Sequence, residues 1–159
     1  MTVSLVGAGP GDPGLITARG LELIRRCDAL VYDRLVALEL VAEAPADALT
    51  ISRDGLDQER INDLLVDLGS QDLEVVRLKG GDPFVFARGG EEATALLAAG
   101  VAFEVVPGIT SAVAVPAFAG VPVRAYRRER AIVSSELEGR AATDFSRRLS
   151  ASSPRPAPS

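Results

Sequence analysis

Apolar residues along this chain fall into two kinds of segment that alternate. Dense short runs stand at residues 3–6, 29–32, 49–52, 74–78 and 103–106, each closed by glycine, proline or a polar residue. Such runs predict strands buried on both faces, the 49–52 run being the weakest and 74–78 the clearest. Between them, apolar residues recur at helical spacing. Leu15, Leu21, Leu23 and Ile24 predict a helix over 15–26, and Ile61, Leu64, Leu65 and Leu68 another over 58–68. Further helices are predicted over 35–44, stopped by Pro45, over 91–99, and over the small-residue stretch 111–119.

The resulting order, βαβαβαβαβα, predicts an α/β fold with a mostly parallel sheet and helices on both faces. In such sheets ligands bind at the carboxyl ends of the strands, where this chain places its glycine-rich loops. Beyond residue 123 the pattern weakens. Residues 131–134 are expected to add a strand and 139–149 a helix, and "SASSPRPAPS" at 150–159 reads as a disordered tail.

Composition narrows the chemistry. With 159 residues, 47% of them hydrophobic, the chain has room for one ordinary domain. No apolar run approaches the roughly 18 residues of a membrane span, and the start lacks a secretory signal, so no membrane association and a cytoplasmic location are expected. Histidine is absent and Cys27 is the single cysteine, which leaves little raw material for a transition-metal site, a histidine-based triad or an internal disulfide. The net charge of −5 is uneven, with eight arginines against four acids from Arg124 onward and −9 before it. So acidic a body, with no run of aromatic residues in its basic stretch to stack on bases, does not suit nucleic acid.

Four loops carry the candidate chemistry. Gly7-Ala8-Gly9-Pro10-Gly11 follows the first strand, but its third glycine comes one residue too early for the dinucleotide fingerprint. Pro10 and Pro13 also remove amide donors that a pyrophosphate would use. Glycines that serve only a tight turn explain this loop as well. Asp33 ends the second strand, where an aspartate serves as a cap or turn residue as readily as in catalysis. Lys79, the one lysine beside 16 arginines, reads equally as a solvated charge or as a ligand contact. Gly80-Gly81-Asp82-Pro83 exposes backbone and one carboxylate, which suits a flat polar ligand better than a polyphosphate. At least one of Phe84 and Phe86 is expected in the core.

Taken together, "LVGAGPGDPGLIT", "CDALVYDRLV", "VVRLKGGDPFVFARGGEEA" and "FEVVPGITSAVAVPAFAGVPV" resemble the uroporphyrinogen-III C-methyltransferases of the tetrapyrrole methylase family, in order from residue 3 to about 123. The resemblance implies transfer of methyl groups from S-adenosylmethionine to C2 and C7 of uroporphyrinogen III. The product is precorrin-2, on the way to sirohaem and cobalamin. It implies adenosylmethionine contacts at Pro10, Gly80, Gly81, Asp82, Val85, Thr110 and Ser111, and a proton acceptor at Asp33. It also implies a tetrapyrrole substrate, a homodimer, and two α/β domains of which residues 1–123 match the first.

Two departures accompany it. The family's "GKRxG" segment, whose lysine is its proposed proton donor, is missing from "ISRDGLDQERIN". Arg53, the nearest basic residue, holds its proton too tightly for a general acid and is left to pair a substrate carboxylate. Residues 124–149 read as a divergent partial start of the second domain, so the chain is expected to be truncated and its activity in question. A sister precorrin methyltransferase and a non-catalytic adenosylmethionine-binding fragment are the alternative readings.

Overall fold

In a computed structural model, residues 2–123 are described, and the five expected strands form one wholly parallel sheet. The strands are β1 (Val3–Gly7), β2 (Ala29–Tyr32), β3 (Leu49–Ser52), β4 (Val75–Lys79) and β5 (Phe103–Val106), in the spatial order β3-β2-β4-β1-β5. Register puts Leu5 of β1 beside Arg77 of β4 and Val105 of β5, and Val31 of β2 on the other side of Arg77. The expected fold class stands.

Side chains alternate along each strand, and the apolar ones on each face meet a different pair of helices. On one face Val6, Leu30, Val76, Leu78 and Val106 pack with Leu23 and Ile24 of α1 (Ala18–Ile24) and Leu40 of α2 (Leu38–Val41). On the other, Val3, Leu5, Ala29, Val31 and Val75 pack with Ile61, Leu65 and Leu68 of α3 (Gln58–Gly69) and with Ala93 and Leu96 of α4 (Gly89–Ala98). A fifth helix, α5 (Ser111–Phe118), follows β5.

Two helices are shorter than their periodicity predicts. Residues 13–15 form a 3-10 turn closed by Asp12, whose carboxylate accepts the Gly14 amide at 2.8 Å. Only after it does Thr17 cap α1, accepting the Gly20 amide at 3.1 Å. Over 35–44, a turn in which the Asp33 carbonyl accepts the Val36 amide delays the helix, leaving the four residues of α2.

The chain divides into a unit of residues 1–114, which holds the sheet, and a second of 115–159. The strand and helix expected at 131–134 and 139–149, and the tail at 150–159, lie outside the described residues. Among the described residues, no helix is long and apolar enough to cross a membrane and no cluster of acidic or sulfur side chains could hold a metal ion.

Cys27 is buried beneath α1, its Sγ donating to the Ile24 carbonyl at 3.2 Å, and burial pushes the thiol up to about 11. The thiolate is the reactive form, so at pH 8 the native protein should leave Ellman's reagent unconsumed and consume one equivalent once unfolded. Rapid reaction without denaturant would place Cys27 elsewhere.

Candidate active site

The strand order creates a point where consecutive connections leave in opposite directions. The loop after β1 runs to α1 on one face of the sheet, whereas the loop after the adjacent β4 runs to α4 on the other. A crevice therefore opens at the carboxyl ends of these central strands, which is the ligand position in open parallel sheets.

Three loops are locked together there by backbone. The Ala8 amide donates to the Lys79 carbonyl at 2.7 Å, and Gly9 and Gly81 exchange both of their bonds, at 3.2 and 2.7 Å. The third loop, after β5, is tied in by the Gly108 amide, which donates to Asp82 Oδ2 at 3.1 Å. Asp82 Oδ1 accepts the Phe84 amide at 2.8 Å and so turns its own loop. Both carboxylate oxygens of Asp82 thus already organise backbone, and each keeps a lone pair for a ligand.

The contact is close enough to require glycine. A Cβ on Gly108 would stand 2.2 Å from the Gly81 carbonyl oxygen and 2.7 Å from Gly7 Cα. Gly81 itself has φ +68, which side chains rarely adopt.

Around this junction lie the other residues singled out in the sequence. The amide and carbonyl of Gly80 take no part in the loop bonds among the described residues. Pro10 is half-buried beyond Gly9. Thr110 starts α5, its carbonyl accepting the Val113 and Ala114 amides, and its Cα lies near the Cβ position of Gly81. Ser111 is exposed.

Val85 is 38% exposed and its neighbours Phe84 and Phe86 are 55% and 101% exposed, so the expectation that at least one phenylalanine lies in the core is wrong. The cause is backbone. Phe86 and Arg88 hold left-handed φ values of 55 and 59, which swing residues 84–88 outward before α4 begins. With Leu35, also exposed, they give the carboxyl edge an apolar rim beside its polar loops.

Lys79 is neither the solvated charge nor the ligand contact that its sequence position allowed. It is fully buried, with Nζ 2.7 and 2.8 Å from the two carboxylate oxygens of Glu92 in the first turn of α4. Burial and the nearby Arg77 push its amine down from 10.5, and the Glu92 carboxylate opposes them. Arg77, equally buried, donates through Nε to Glu92 Oε1 at 3.1 Å and through one terminal nitrogen to Asp33 Oδ1 at 2.6 Å. Its other terminal nitrogen faces the Leu78 carbonyl at 3.3 Å and that of Val31 at 3.5 Å.

Asp33 therefore stands at the solvent end of a buried chain of charges, with 18% of its side chain open to solvent. Arg53 approaches the same oxygen from outside at 3.8 Å. No bond reaches Asp33 Oδ2 among the described residues, so this oxygen is free to accept. Gln58 closes the cluster from α3, with Nε2 3.0 Å from Asn62 and 3.4 Å from Glu92.

Arg77 and Glu92 escaped the sequence reading, although a signal was present. In "VVRLK" a cation occupies the position between Val75 and Lys79 on one face of a strand too apolar to be solvated, which calls for a buried anion. Glu92 supplies it from the same apolar face of α4 as Leu96, four residues on.

With this geometry in place, a profile of the family described as Tetrapyrrole (Corrin/Porphyrin) Methylases matches residues 2–153. Among curated proteins, the uroporphyrinogen-III C-methyltransferase of Priestia megaterium is 51% identical over 140 residues, covering 83% of this chain and 59% of that protein. The siroheme synthase of Methylococcus capsulatus is 50% identical over 145 residues, 86% of this chain and 31% of that one. Crystal structures of uroporphyrin-III C-methyltransferase from Thermus thermophilus align as well. One has a TM-score of 0.72 at 43% identity over 78% of this chain and 55% of its own. Another, complexed with S-adenyl homocysteine, has a TM-score of 0.62 at 45% identity over 72% and 48%. The chain thus spans between about a quarter and three fifths of the length of the relatives it matches.

Proposed function

The chain belongs to the tetrapyrrole methylase family, and on that premise we propose that it serves the S-adenosylmethionine-dependent C-methylation of uroporphyrinogen III to precorrin-2. What supports this most is the interlocked junction of the Gly9, Gly81 and Gly108 loops. It sits at the switch point of the sheet, in a chain 45% identical to an enzyme crystallised with the demethylated donor.

In this reading the donor lies along the carboxyl edge. Pro10, Val85 and the backbone of Gly80 and Gly81 give it flat contact, Asp82 accepts from its polar hydrogens, and the Thr110 and Ser111 hydroxyls hydrogen-bond its outer end. The donor's methyl carbon is attacked in line by a nucleophilic pyrrole carbon. The new C–C bond forms as the S–C bond breaks, and S-adenosylhomocysteine leaves neutral. Holding the two partners in line supplies much of the rate. Methylation leaves the pyrrole with excess positive charge, which is relieved by loss of a proton to Asp33 Oδ2.

Lys79 cannot stand in for a proton-donating lysine, because it is buried and held by both oxygens of Glu92. Arg53, 31% exposed beside Asp33, is placed to pair a carboxylate of the substrate. A cytoplasmic setting and a homodimer belong to the same proposal.

Calorimetric titration with S-adenosylhomocysteine, followed by mass analysis of the product from uroporphyrinogen III, tests it. Binding and a gain of one or two methyl groups are expected. In Asp33→Ala, turnover should fall about 100-fold while the dissociation constant for S-adenosylhomocysteine moves little. Binding without any mass gain in the wild-type chain would instead identify a donor-binding module, and full turnover in Asp33→Ala would remove that residue from the chemistry.

A further inference from the structure

The buried charges under the carboxyl edge are expensive. Arg77, Lys79 and Glu92 are all completely buried, where apolar residues of similar size would cost less to desolvate. Local packing does not explain them either, since both faces of the sheet have full apolar cores on either side of the cluster. What sets the cluster apart is its direction. It begins at Glu92 in α4, crosses the face of β4 and ends on Asp33, the partly open acid at the end of β2.

We propose that Arg77 is a positioning residue for Asp33, with the Glu92–Lys79 pair serving to hold Arg77. This rests on the reading of Asp33 as proton acceptor. The guanidinium is planar and engaged on each of its three nitrogens, so it is fixed in orientation as well as in place. Its 2.6 Å bond takes Asp33 Oδ1 and leaves Oδ2 without a partner among the described residues. Glu92 accepts from Arg77 and Lys79 together, so the four groups sum to zero charge and Arg77 is not drawn away from Asp33. An ammonium at position 77 would carry the charge without the fork that spans both carboxylates.

Arg77→Met leaves Lys79 and Glu92 paired with each other, so the fold is expected to persist, as a thermal melt verifies. The first readout is carboxyl labelling by a water-soluble carbodiimide and an amine, followed on the tryptic peptide of residues 27–34. That peptide contains Asp33 and also Asp28, which is engaged elsewhere through the Glu74 amide at 2.7 Å and serves as internal control. Asp33 should label severalfold faster in Arg77→Met and in Arg77→Lys, with Asp28 unchanged. Equal labelling of Asp33 in all three proteins would overturn the proposal, and this holds whether or not the chain turns over.

The second readout is a double-mutant cycle on methyl transfer. Alone, Arg77→Met should lower kcat about 10- to 100-fold with KM for the methyl donor little changed, as expected for a misplaced acceptor. In an Asp33→Ala background the same substitution should cost almost nothing further. Additive losses would show that Arg77 acts on the fold at large and sink the proposal. A wild-type chain without turnover would remove the catalytic reading of Asp33, and the labelling result alone would then decide whether Arg77 positions it.

Discussion

Gly108→Ala is expected to lower the melting temperature by about 10 °C and to abolish S-adenosylhomocysteine binding. The added carbon would meet the Gly81 carbonyl oxygen at 2.2 Å and Gly7 Cα at 2.7 Å, and neither is the end of a side chain that could swing away. Relief has to come from moving whole loops. Such movement breaks the Gly108 amide bond to Asp82 and strains the Gly9–Gly81 pair. Overpacking typically costs 1–3 kcal/mol and more where backbone must shift, and at this chain length each kcal/mol is worth roughly 2–4 °C. Circular dichroism melts and calorimetry read the two effects. A variant that melts like the wild type would mean that the loops are looser than their contacts indicate.

Glu92→Ala should be of comparable severity, about 3–5 kcal/mol, because it leaves two buried cations, Arg77 and Lys79, with the partly open Asp33 on Arg77 as their one remaining bonded acid among the described residues. Removing the amine as well, in Lys79→Met/Glu92→Ala, should recover part of that loss, since the remaining Arg77 still faces Asp33 at 2.6 Å. The pH dependence has a definite sign. Lys79 is pushed below 10.5 by burial and by Arg77, so between its folded and unfolded values the unfolded chain binds more protons. Stability from this group therefore rises with pH up to about 10.5 and is lost as pH falls through the lowered value. Without the Glu92 carboxylate, which opposes both effects, the rise should steepen. Urea titrations of the wild type and Glu92→Ala from pH 7 to 10 measure it, and parallel curves would rule out the coupling.

Much of the fold is legible in single segments. Residues 29–32, 49–52 and 103–106 are strands at the boundaries their apolar runs predict, and the helical spacing at Ile61, Leu64, Leu65 and Leu68 locates α3 to within a residue at its end. Where local reading failed, the competing term was also local but polar. Asp12 and Thr17 divide the expected first helix into a 3-10 turn and α1, and the Asp33 turn shortens the second. The burial expected of at least one of Phe84 and Phe86 fails for a different reason. Hydrophobicity predicts that a residue will be buried if it can reach a core, and the left-handed turns at Phe86 and Arg88 deny that reach.

The glycine loops, Asp33 and the family motifs were all visible as residue types in order, because they are short contiguous stretches at the ends of strands that the apolar runs already mark. Their arrangement depends on which strands become neighbours. β4 enters the sheet between β1 and β2, which brings Gly81 against Gly9 and Arg77 under Asp33 across 44 residues of chain, and the place of β5 beside β1 brings Gly108 onto Asp82. By itself, then, the sequence determined the strands, most of the helices, the parallel α/β class and the chemistry available at the sheet edge, all of which follow from periodicity and backbone preference over a few residues. Only the tertiary structure decided that the single lysine is a buried counterion and that Asp33 is held from beneath. Charge pairing in a dry interior depends on contacts between residues far apart in the chain, and no local pattern encodes which partner will be there.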